Sequence, residues 1–165
     1  MKLFLLLLLQ ISTVSLMAQQ QPQLPPFKRY PTLPPLELQT PDKKTLTKAD
    51  LKKKPTLIMY FSPTCDHCIR QMKDMQKRMK DLSRIQIILA TYQPMEELQA
   101  FVKEYELNRH SNIRTGRDVK YLLPPFFAMN SLPYFALYTA GGELITTFES
   151  NTKVDKILEA FQTDK

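Results

Sequence analysis

Tyr60-Phe61-Ser62-Pro63-Thr64-Cys65-Asp66-His67-Cys68-Ile69 is the stretch that decides how this chain is read. Upstream, Thr56-Leu57-Ile58-Met59-Tyr60-Phe61 is a continuous apolar run entered from Lys54-Pro55, the pattern of a central strand buried on both faces. Ser62-Pro63-Thr64 stops it. Downstream, Ile69, Met72, Met75, Met79 and Leu82 recur at three- and four-residue spacing, one face of a helix, while lysines and arginines fill the other. The chain has only two cysteines, and both sit where this strand passes into this helix.

At the first turn of a helix two sulfurs three residues apart can approach one another. The free backbone amides and dipole of the helix end then stabilise a thiolate on Cys65, which makes it the expected nucleophile, with Cys68 on the more buried side as the resolving thiol. A purely structural disulfide explains the pair less well. Closing a loop of four residues removes little chain entropy, about 2 kcal/mol before strain. A zinc site would need four ligands, and beyond the cysteines only His67 and the distant His110 remain. Met72, Met75 and Met79 are read as core rather than copper ligands. No bound metal and no cofactor are expected; a non-catalytic binding module and a metal-handling protein using the two thiols are the alternatives to redox chemistry.

Working outward, Leu36-Glu37-Leu38-Gln39 alternates as a half-buried strand and pairs in a hairpin with a second extended piece around Leu46, across a turn at Pro41-Asp42-Lys43. Ile85 to Ala90 is a further strand, and Met95 to Tyr105 has helical spacing. Between Leu107 and Asn130 the pattern is weak; Asp118 to Leu123 has the character of a helical turn preceding Pro124-Pro125. Tyr134–Tyr138 and Glu143–Phe148 form an antiparallel pair across Ala140-Gly141-Gly142. Asn151-Thr152 can cap a last helix through Val154, Ile157, Leu158 and Phe161. Strands alternating with helices predict an α/β domain, its mixed sheet covered on both faces.

The 165 residues allow one domain, with 43% hydrophobic and 24% charged residues as in ordinary globular proteins. Met1-Lys2, the apolar run Leu3 to Leu9 and the small residue Ala18 read as a secretory signal peptide over residues 1–18. The run is too short, and too soon broken by Gln10, for a membrane span. An uncleaved leader serving as anchor is the alternative. Residues 19–35, rich in glutamine and proline, read as a flexible, polyproline-like lead-in, and 36–165 as the folded domain. Loss of the leader, with its single lysine, lowers the formal charge from +7 to +6. This basic surface is read as a solvated face rather than a nucleic-acid site, because no recognisable nucleic-acid motif accompanies it.

The strand, Phe61-Ser62-Pro63-Thr64-Cys65-Asp66-His67-Cys68, the helix, and Ser131-Leu132-Pro133-Tyr134 before a hairpin together resemble the thioredoxin superfamily over residues 36 to 163. The exported TlpA/ResA-like thiol:disulfide oxidoreductases, with their lead-in hairpin, are the most similar branch. The resemblance implies a thioredoxin-like mixed sheet flanked by helices with an N-terminal β-hairpin extension. It implies a cis-proline at Pro133, with Leu132 and its neighbouring backbone pairing with an extended substrate. It further implies reduction of disulfide-containing or dithiol protein partners, with electrons from a membrane or periplasmic donor; the leader points to the periplasm or another extracytoplasmic space, and a monomer is expected. His67 stands where strongly oxidising relatives of the DsbA kind carry a histidine; as imidazolium it would favour a Cys65 thiolate, and Asp66 beside it would oppose that effect.

The chain also departs from these patterns. Thioredoxins proper carry a buried aspartate six residues before the first cysteine and a tryptophan just before it, where this chain has Met59 and Thr64. The TlpA/ResA pattern has a glutamate three residues after the second cysteine and a proline two further on, where this chain has Gln71 and Lys73. Solvent or a carboxylate brought close by folding must then carry the proton. Ser62 satisfies one position of a peroxiredoxin motif, but the adjacent second cysteine favours disulfide exchange.

Overall fold

The computed structural model describes residues 24–162. The signal peptide expected at 1–18 and the start of the lead-in lie outside them. Strands β1 (Glu37–Gln39), β2 (Thr45–Thr47), β3 (Thr56–Tyr60), β4 (Gln86–Thr91), β5 (Ile113–Arg117), β6 (Tyr134–Tyr138) and β7 (Leu144–Glu149) form one sheet in the order β2-β1-β5-β4-β3-β6-β7. The helices are α1 (Pro26–Arg29), α2 (Asp66–Lys77), α3 (Met95–Glu104), α4 (Leu123–Phe127) and α5 (Val154–Gln162). β3 runs parallel to β4 and β4 to β5, while β6 lies antiparallel to β3, and β1 to β5.

The central position of β3 explains its sequence. All five residues are buried, with β4 on one side and β6 on the other. The pleat sends Leu57, Met59 and the following Phe61 to one face and Ile58 and Tyr60 to the other. The first face carries α2, α3 and α5 through Met72, Met75, Leu98, Phe101, Val102, Val154 and Ile157. Two successive right-handed crossovers stepping in the same direction along the sheet put α2 and α3 on one side. The opposite face is closed by the short α1 and α4, where Phe27 and Phe127 meet at 5.9 Å between ring centroids.

Four local expectations are corrected by the structure. Part of the lead-in is ordered: α1 buries Phe27, and Thr32 bridges Glu143, because that face of the sheet has no long helix of its own. Helix α2 stops at Lys77, and Leu82 instead comes from a 3₁₀ turn, Asp81–Arg84, whose three-residue period returns it to the same core. α4 contains Pro124 and Pro125 rather than preceding them. Both occupy its first turn, where their missing N–H groups cost nothing, and the Asp118 carboxylate accepts the Leu122 and Leu123 N–H groups at 2.9 Å. Finally, Asn151 and Thr152 turn away from α5, as described below.

Strand β5, Ile-Arg-Thr-Gly-Arg, has too little apolar alternation to be legible alone and is recruited by β4 and β1. Its Gly116 is required there: a Cβ would lie 2.6 Å from Leu38 Cβ of the lead-in hairpin. Gly116→Ala should therefore lower stability by about 1–3 kcal/mol, read as a fall in the urea midpoint at unchanged slope.

Candidate functional site

The site forms where β3 hands over to α2. Phe61 continues the ladder by donating to Ala90 O at 2.9 Å, and the turn closes when Cys65 N–H donates to Ser62 O at 3.2 Å. Cys65 is the N-cap of α2, in extended conformation, and its carbonyl accepts the Ile69 N–H at 2.9 Å. No side chain caps this helix end, so its first amides face outward around the cysteines. Cys65 is half-buried and Cys68 fully buried, both as free thiols. Burial pushes the Cys68 thiol up to about 12, with hydrogen bonding to the Cys65 thiol and the charge of Cys65 as further causes in the same direction; the Ser62 main chain opposes them. Both thiols therefore sit in the first turn of an uncapped helix end.

The facing wall is the segment before β6. The Leu132-Pro133 peptide bond is cis, and Tyr134 pairs with Tyr60, which sets Pro133 beside the end of β3 where the turn to Cys65 begins. Leu132, like Cys65, packs against the core group that includes Cys68. Ser131 donates to Glu149 at 3.2 Å and shares a 3.1 Å contact with Ser150 Oγ, while Asn130 reaches the other Glu149 oxygen at 3.4 Å.

Around the first turn of α2, Asp66 and His67 are both exposed. The His67 ring lies 2.9 Å from Asn151 Oδ1 and 3.1 Å from Arg70 Nη2, both at Nδ1, and Asn151 Nδ2 donates to the His67 carbonyl at 2.7 Å. Gln71, where relatives carry glutamate, is 1% exposed and pairs with the backbone of Thr152 in both senses. Its Nε2 donates to Thr152 O at 3.0 Å and its Oε1 accepts Thr152 N–H at 2.8 Å. An ionised carboxylate could accept but not donate. Gln71, Asn151, Thr152, Ser131 and Glu149 were not singled out as site residues by sequence. The one available signal was the departure at Gln71 from the related pattern.

Met59 is buried in the sheet and supplies no acid, and Thr64 is exposed beside Cys65. Folding brings Glu97 and Glu104 of α3 to a depression of about 190 Å³ shared with Pro63 and Thr64. Met72 and Met75 fill the core, Met79 packs against it, and His110 follows the 3₁₀ turn Leu107–Arg109. Among the described residues, no three His, Cys, Asp or Glu side chains gather as a metal site. Two larger depressions, about 350 Å³ each, lie away from the cysteines, one lined by Lys52, Lys54 and Arg114.

No curated protein sequence matches the chain. Solved structures share its fold. A secreted Mycobacterium tuberculosis disulfide oxidoreductase homologous to Escherichia coli DsbE superposes with a TM-score of 0.65 at 16% identity, covering 78% of this chain and 96% of that one. StoA from Bacillus subtilis gives 0.58 at 15%, over 75% and 93%. The exposed lipoprotein thioredoxin of Streptococcus pneumoniae gives 0.60 at 20%, over 77% and 97%. The sheet and its flanking helices are thus those of a thioredoxin-like fold. Residues 31–124, more than half of the sequence, match the model of one thioredoxin-like family, and the chain belongs to that AhpC/TSA family.

Proposed function

We propose that this protein is an exported thiol:disulfide oxidoreductase that reduces the disulfides of partner proteins. The observation that carries the reading is the half-buried Cys65 thiol at the uncapped amino end of α2, with the buried Cys68 thiol following in the first turn of the same helix. The Cys65 thiolate attacks one sulfur of a partner disulfide, forming a mixed disulfide and releasing the partner's other sulfur, which takes up a proton. Cys68 then loses its proton and attacks Cys65. A Cys65–Cys68 bond forms, the second partner sulfur leaves, and the pair returns to dithiol with two electrons from a membrane or periplasmic donor.

Leu132 and Pro133 form the wall along which an extended partner segment pairs, and Asp66 and His67 tune the thiolate. The leader-like residues 1–18 support export, and no helix among the described residues is long and apolar enough to cross a membrane. The reducing direction follows the TlpA/ResA-like character of the motif.

Insulin reduction in the presence of dithiothreitol tests the reading. The wild type should accelerate it, and Cys65→Ala should fall to the uncatalysed rate; equal rates for the two would leave a non-catalytic binding module. Cys68→Ala should accumulate mixed disulfides with its natural partners. Turnover of peroxide in place of disulfide would reassign the reaction.

Cys68 also predicts a pH dependence. Because the folded thiol keeps its proton up to about pH 12 and the unfolded one loses it near pH 9, the native state binds the extra proton between them. The reduced protein should lose up to about 4 kcal/mol of stability as pH rises through that window, and Cys68→Ala should show a correspondingly flatter profile in urea unfolding.

A further inference from the structure

Nδ1 of His67 has two neighbours that make opposite demands. Asn151 Oδ1 at 2.9 Å can only accept, so it requires a proton on Nδ1; the Arg70 guanidinium at 3.1 Å can only donate, so it requires a lone pair there. The hydrogen-bond network decides between them. Thr152 N–H is a fixed backbone donor, so the Gln71 atom it meets at 2.8 Å is Oε1. Thr152 O, a fixed acceptor, confirms the orientation by receiving Gln71 Nε2 at 3.0 Å. The Asn151 group that faces both Gln71 Oε1 at 3.4 Å and the His67 carbonyl at 2.7 Å must therefore be its NH₂. That leaves Oδ1 toward the ring. Gln71 is buried and cannot turn, whereas Arg70 is an exposed side chain free to leave.

We infer that Asn151 is a positioning residue for disulfide exchange, fixing His67 as the Nδ1–H tautomer so that Nε2 keeps its lone pair at the first turn of the cysteine helix. The inference rests on the exchange reading only for its effect on rate. The relay from the Thr152 backbone through Gln71 and Asn151 to the ring stands on hydrogen-bond geometry alone. Its consequence is that the nitrogen left basic in the neutral ring is Nε2, at a site where the two positions that could have held an acid, Met59 and Gln71, are neutral.

Nitrogen-15 NMR of the histidine rings in the reduced full chain, at about pH 8 where a free imidazole is neutral, reads the tautomer directly. The wild type should show a proton-bearing Nδ1. Asn151→Ala leaves Arg70 as the partner of Nδ1 and should switch the ring to Nε2–H. Asn151→Asp, which still accepts, and Arg70→Ala, which removes the competitor, should both keep Nδ1–H. The reaction of Cys65 with dithiobisnitrobenzoate should slow about fivefold in Asn151→Ala, the worth of one neutral hydrogen bond, and stay nearer the wild-type rate in Asn151→Asp. A wild-type ring protonated at Nε2, or an Asn151→Ala ring still protonated at Nδ1, overturns the relay. A switched ring with an unchanged rate overturns the positioning role. A wild-type Cys65 inert toward the disulfide overturns the exchange reading, while the ring spectra still decide the relay.

Discussion

The amino end of α2 is held open at the carboxyl end of a strand that cannot move, and the site depends on that constraint. β3 is buried over all five residues and paired along its whole length with β4 and β6. Its last residues therefore fix where the turn Ser62-Pro63-Thr64 begins. The uncapped amides of the helix then supply, at one place, the donors and partial positive charge that a sulfur anion needs. The same pairing of Tyr60 with Tyr134 brings Pro133 to that place from the other side. Both walls are indexed to one strand.

Residues 149–152 carry the second constraint. Glu149 and Ser150 hold Ser131 and Asn130, just ahead of the cis-proline, while Asn151 and Thr152 hold His67 and Gln71 of the cysteine helix. A single short connection between β7 and α5 thus binds the two walls of the site to each other. This is why Asn151 and Thr152, good capping residues by type, leave α5 uncapped by their side chains. The buried Gln71 amide needs both a donor and an acceptor, and the buried Thr152 backbone edge needs the same, so satisfying them together outweighs a surface cap.

The legible parts of the sequence were those in which local pattern and tertiary environment agree. The five-residue apolar run of β3, the Cys65–Cys68 spacing before an amphipathic helix, and the glycine hairpin with Gly142 at φ +92° each carry their signal within a few residues. β5 and α4 do not. One is a polar strand stabilised by neighbours distant in sequence; the other is a helix containing two prolines, nucleated by the buried Asp118. The long-range polar contacts of the site span about eighty residues from Gln71 to Thr152, and no periodicity could report them.

The protonation of Cys68 then has a logic in the exchange proposed. Burial is the main reason its thiol keeps a proton, but the neighbouring Cys65 contributes through its hydrogen bond and its charge. Once Cys65 is bonded to a partner's sulfur, it carries no charge, and that share of the resistance disappears. What remains is desolvation, opposed by the Ser62 main chain. Burial therefore keeps the resolving thiol protonated while the site waits, and the loss of the Cys65 charge in the proposed mixed disulfide works toward its ionisation, without an acidic side chain at position 59 or 71 to take part.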